Sequence, residues 1–175
     1  MILSFFKKRQ RGQGIAPLYG AIMAKALNPL LYSSHGLPDT FEGRFESVTL
    51  HTALVLRRLK ALPPPAADLA QELVDRVFDG LESAMREVGI GDMGIPKRMK
   101  SFAKGFYGRL GAYTAALDAG DAQALAQALS RNVLEGAPAT PGFVDYVIEF
   151  SKQLDQCSGV EIGRGALSPS AGGTP

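Results

Sequence analysis

Several residue types that small proteins use for chemistry or cross-linking are scarce in this chain. A single cysteine, Cys157, excludes an internal disulfide, and the two histidines form no Cys/His set with zinc-site spacing. A reducing compartment fits that usage. No uninterrupted apolar run reaches the ~20 residues that a membrane-spanning helix needs. Net charge is only +2, so no whole-protein field draws the chain onto nucleic acid or anionic lipid. Period-two alternation, the mark of a half-buried strand, is nowhere sustained.

What is present points to one folded domain. The 175 residues are 46% apolar and 21% charged, ordinary globular values and enough for a single hydrophobic core. Charge is unevenly placed. Residues 1–14 hold Lys7, Lys8, Arg9 and Arg11 with no acid, and the remainder sums to −2. The apolar start from Met1 to Phe6 precedes these charges, the reverse of a secretory signal. That order suits membrane-surface contact, with Phe5 and Phe6 dipping in while Lys7, Lys8, Arg9 and Arg11 meet anionic head groups. A solvated, frayed terminus fits the same residues.

Hydrophobic periodicity predicts an all-α, compact bundle of about six helices with no significant sheet. The expected domains are a basic flexible N-terminus at 1–14, a helical domain at 15–156 and a disordered tail at 157–175 rich in Gly, Ser, Ala and Pro. A first helix runs from about Ala16 to Leu27, before Asn28 and Pro29. A second, about Phe41 to Ala61, places Phe45, Val48, Thr52, Val55, Leu59 and Leu62 on one stripe; Pro63, Pro64 and Pro65 stop it. A third, about Ala66 to Val88, has Leu69, Leu73, Val77, Leu81 and Met85 on one side and Asp68, Glu72, Asp75, Asp79 and Glu82 on the other. Gly89 followed by Ile90 is a stop signal of the left-handed cap type. A fourth helix starts near Pro96, with Met99, Phe102, Phe106, Leu110, Tyr113 and Leu117 as its core stripe, and ends at Gly120. Shorter helices cover about Asp121 to Leu134, with Asp121 as N-cap, and Gly142 to Asp155.

No catalytic constellation is found. His51 lies two helical turns from Arg44, but no further metal ligand falls at matching spacing, and Glu46, five residues before His51, does not meet the Glu-x-x-His pattern. The chain has no nucleophile elbow, phosphate-cradling loop or dinucleotide fingerprint. The acidic stripe on the third helix reads as a solvated face or as partners for basic residues, not as paired catalytic carboxylates. No cofactor or metal is called for, and the protein is read as a non-enzyme.

The fourth helix is the distinctive surface. Between Met93 and Leu117 stand Lys97, Arg98, Lys100, Lys104 and Arg109 with no acid. Such a helix meets RNA phosphate, anionic lipid, or the acidic face of the third helix. Ser101, Gly105, Gly108 and Ala112 lie on one side, where small residues permit close helix approach.

Three stretches together resemble the ubiquinol–cytochrome c chaperone family: SSHGLPDTFEGRFE at 33–46 leading to Leu50 and His51, MREVGIGDMGIPKRMK at 85–100, and KGFYGRLGAY at 104–113. The resemblance spans roughly residues 17–150. It implies an assembly factor that binds and stabilises cytochrome b during biogenesis of the quinol–cytochrome c reductase. Mitochondrial members also work with a small partner protein near the ribosome. This chain looks more like a compact bacterial version, expected in the cytoplasm or on the cytoplasmic face of the inner membrane, with no role on DNA. A helper for such a client needs an apolar groove rimmed by both signs of charge, and Pro38 to Phe45 and Gly89 to Ile95 read as apolar loops suited to that rim. The candidate client-binding residues are Arg44, His51, Arg86, Glu87, Asp92, Lys97, Lys100, Tyr107, Arg109 and Tyr113. Two other functions compete: an RNA- or ribosome-binding module using the basic helix at 97–109, and a small-ligand carrier with a pocket around His51 and Arg44.

Overall fold

Short polar side chains set most of the helix starts in the computed structural model, which describes residues 14–169. The first helix, α1 (Ala16–Ala26), has Pro17 in its first turn. Asn28 then caps α2 (Pro29–Ser34) by accepting the Leu30 N–H at 3.0 Å. Thr40 caps α3 (Phe41–Lys60) through the Gly43 N–H at 3.0 Å. Beyond the prolines comes α4 (Ala66–Glu87), then α5 (Ile95–Asp118). Asp121 caps α6 (Ala122–Asn132), as its sequence position predicts, and Thr140 caps α7 (Pro141–Asp155). A last short helix, α8 (Gly159–Gly163), starts at a capping box in which Ser158 and Glu161 satisfy each other's backbone N–H groups.

Among the described residues there is no strand, and the all-α prediction holds. The centre of the bundle is α3, which packs against α1, α4, α5 and α7. Its residues from Thr49 to Leu56 are buried in succession, so the helix is enclosed on every side there instead of along one stripe. Helix α6 bridges α5 to α7. Phe106, Tyr113, Leu125, Leu129, Phe143, Val147 and Phe150 close the core around Leu50, Leu54 and Leu59.

Two helices were not foreseen. Pro29 reads as a stop after Asn28, yet it is also the favoured first residue of a new helix, and α2 uses it that way. The tail expected from residue 157 onward is corrected as far as Pro169. Cys157, Ile162 and Leu167 are buried in the main core, and Arg58 donates to the Cys157 carbonyl at 2.8 and 3.0 Å. Sparse apolar residues among small ones hid that contact from a composition argument. Phe5, Phe6, Lys7, Lys8, Arg9 and Arg11, the expected membrane-contact residues, lie outside the described residues.

Candidate client-binding face

A second, smaller apolar cluster sits apart from the main core, where α3 begins, α4 ends and α5 begins. Leu81, Met85 and Ile95 are buried in it, with Phe41, Phe45, Ile90, Met99 and Phe102 partly covered around them. Phe45 and Phe102 meet edge to face at 4.3 Å between ring centres. Pro38 to Phe45, expected as a loop, is a helix from Phe41 on because Thr40 caps it. Gly43 has no side chain because the Pro38 carbonyl lies where a Cβ would be.

The loop from α4 to α5 is braced. Gly89, at φ +84°, donates to the Arg86 carbonyl, and Ile90 donates to that of Met85, the paired bonds of a Schellman end with the Ile90–Met85 contact beneath. A tight turn follows, in which Gly94 donates to Gly91 at 2.8 Å. Arg86 spans the loop, pairing with Asp92 and, one turn back, with Glu82. These contacts hold Met93 outward at 97% exposure, with Val88 at 57%.

The outer side of α5 continues from this loop. Lys97, Arg98, Lys100 and Lys104 are exposed, and among the described residues none makes an ion pair. The pairing with the acidic side of α4 that their charges allow does not form. Tyr107 is 57% exposed beside them, and the positions a Cβ would take at Gly108 and Gly111 meet nothing within 4 Å. The outer ridge is thus basic over its first turns and bare backbone after them.

The ten expected recognition residues divide cleanly. Lys97 and Lys100 are exposed and make no ion pair among the described residues, Tyr107 is exposed with its ring edge to face with Phe106, and Glu87 is exposed at the α4 terminus. Arg44 is exposed and pairs with Asp39 at 2.7 Å, while Arg86 and Asp92 pair with each other. Arg109 turns inward to Glu46 of α3, its Nε donating at 2.6 Å. Burial pushes the Glu46 carboxyl above its ordinary range, and Arg109 opposes that shift.

His51 and Tyr113 are corrections, because both side chains are enclosed by the core. His51 shares a helix face with Arg44, but α3 runs from the surface into the centre of the bundle between them. There His51 Nδ1 donates to the Ser47 carbonyl at 2.7 Å, leaving Nε2 to accept from the Tyr146 hydroxyl at 2.7 Å. Burial drives its pKa from 6.5 to about 4. With both nitrogens committed, His51 lines no ligand pocket with Arg44, and no three His, Cys, Asp or Glu converge among the described residues. Burial likewise raises the Tyr113 phenol, with the Glu46 charge adding to it.

The candidate residues read from the sequence leave out Met93, Arg98 and Lys104, which the structure exposes beside them. The Gly91-Asp92-Met93-Gly94 turn was the available signal, since an apolar residue inside a glycine turn has nowhere to be buried. A cleft of about 200 Å³ elsewhere, between α3, α5, α6 and α7, centres on Arg57, which Asp118 and Asp155 already neutralise. Among the described residues no helix is long and apolar enough to cross a membrane.

This arrangement, a helical core presenting exposed, unpaired charge beside exposed apolar side chains among the described residues, suits a protein that binds other molecules. Comparison gives the class. Residues 33–168 match the model of the ubiquinol–cytochrome C chaperone family, and the chain belongs to that family. Among solved structures, the crystal structure of the Cbp3 homolog from Brucella abortus is similar over 96% of both chains, with 40% identity and a TM-score of 0.80. No curated protein matches.

Proposed function

We propose that this ubiquinol–cytochrome c chaperone binds and stabilises cytochrome b while the reductase is assembled, working on the cytoplasmic side of the inner membrane. The client face is the outer side of α5, with Lys104 and Tyr107 at its centre, Lys97 and Lys100 at its head, and Arg44, Arg86, Glu87 and Asp92 along the rim. One observation supports the placement: four exposed cations on one helix make no ion pair among the described residues, although an acidic helix is the preceding element in the chain. The open backbone at Gly108 and Gly111 lets a client helix approach closely.

Affinity capture from solubilised membranes tests this. Wild-type protein should bring down cytochrome b, and Lys104→Ala combined with Tyr107→Ala should lose most of it while remaining folded. Undiminished capture by the double variant would move the face elsewhere. The same unpaired cations favour one other reading, binding of RNA or ribosomal phosphate. In that case capture would fall steeply between low and moderate salt and survive nuclease treatment poorly.

A further inference from the structure

At the head of α5 an apolar tip stands against a cationic collar. Met93 and Val88 project from the braced loop at 97% and 57% exposure. Lys97, Arg98 and Lys100 follow within the first two turns of α5, exposed and unpaired among the described residues. The collar lies at the wrong end of its helix: the amino terminus is the positive end of the helix dipole, and here it has no side-chain cap and no acid in its first turn. Folding alone therefore disfavours these charges, and an external anion would relieve them. Asp92, on the same loop, is held by Arg86, which leaves Glu87 as the nearby acid with no ion pair among the described residues.

We propose that this tip docks on an anionic lipid surface. Met93 and Val88 enter the boundary between head groups and acyl chains, and Lys97, Arg98 and Lys100 engage lipid phosphates. A lipid interface matches both halves of the feature, apolar beneath and anionic above. An acidic protein surface would satisfy the cations but press Met93 against polar groups. The bracing matters: Ile90 and Met99, packed under the loop, keep the tip in place before it meets the bilayer. The proposal deepens the client reading by naming where the chaperone touches the membrane of its client, and it rests on that reading.

Flotation of the full chain with vesicles supplies the test, using phosphatidylcholine alone and phosphatidylcholine mixed with phosphatidylglycerol. Wild-type protein should float only with the anionic vesicles and be released by salt. Arg98→Ala, at an exposed residue outside the client face, should weaken partition about fivefold. Met93→Asp should weaken it by about tenfold or more. Both variants alter exposed side chains, so their circular dichroism and melting should match wild type. The N-terminal basic residues remain in every variant and cannot account for a difference. In detergent both variants should still capture cytochrome b, since Lys104 and Tyr107 are intact. Wild-type protein that ignores anionic vesicles, or variants that float as well as wild type, would overturn the proposal. Variants that lose cytochrome b in detergent would overturn it too, assigning the tip to protein. Vesicle binding that depends on the tip, with no cytochrome b captured by any form, would sustain lipid docking and overturn the client reading.

Discussion

Acid should weaken this protein well before most carboxylates titrate, and His51 is the reason. Its imidazole is enclosed between Ser47 and Tyr146, and burial lowers its pKa from 6.5 to about 4, with the Lys25 charge acting in the same direction. A group whose folded pKa is depressed takes up its proton more readily in the unfolded chain. The unfolded state therefore gains as pH falls below 6.5, and the gain is complete once pH is below about 4. The full difference is about 3 kcal/mol, of which about 2 kcal/mol is lost between pH 7 and pH 5. That is a large part of the 5–15 kcal/mol typical of a domain. Urea unfolding at a series of pH values, for wild type and His51→Gln, isolates the effect. Glutamine retains a hydrogen-bonding amide but does not titrate. Glu46, raised by burial, titrates with the opposite sign, and it cancels in the difference because both proteins carry it. The wild-type curve should fall about 2 kcal/mol further than the variant's between pH 7 and pH 5. Parallel curves would refute the reasoning, because they would mean the imidazole can be charged inside the fold.

Other contacts give sharper, local expectations. Arg109→Ala strands Glu46, whose side chain is only 14% exposed, and should cost about 3 kcal/mol by denaturant titration, far more than Arg44→Ala at its exposed pair. Asp121→Ala removes the α6 cap and should lower stability by about 1 kcal/mol, with Asp121→Asn close to wild type. Cys157 is buried, its thiol pushed up by that burial, and bonded to the Gln153 carbonyl, so a thiol reagent should label it only as fast as the chain opens.

The helices were readable wherever a stripe was long and its ends were marked. Leu73, Val77, Leu81 and Met85 gave α4 its inner side, and Gly89 with Ile90 gave its end, because both signals are local in sequence. Short elements escaped. Five-residue α8 has too few positions for a periodic pattern: Ile162 alone is its buried residue, and the Arg58 bond to the Cys157 carbonyl just before it comes from far away in sequence. The site was half legible for a related reason. Charge content marked α5 as unusual, but a sequence cannot say which charges find partners. Arg109 and Lys104 look equivalent in the sequence, and only the packing of α3 against α5 brings Glu46 to one and leaves the other bare. His51 was misplaced because a helix face that begins at the surface can end in the centre of a bundle.

The central claim is that the outer side of α5 holds cytochrome b, and a crosslink reads that directly. A photoreactive amino acid in place of Tyr107, exposed on α5, is compared with one in place of Val160, equally exposed on α8. Irradiation of cells making the reductase should join cytochrome b to position 107 and leave position 160 free. Crosslinks to cytochrome b from position 160 with none from position 107 would contradict the account.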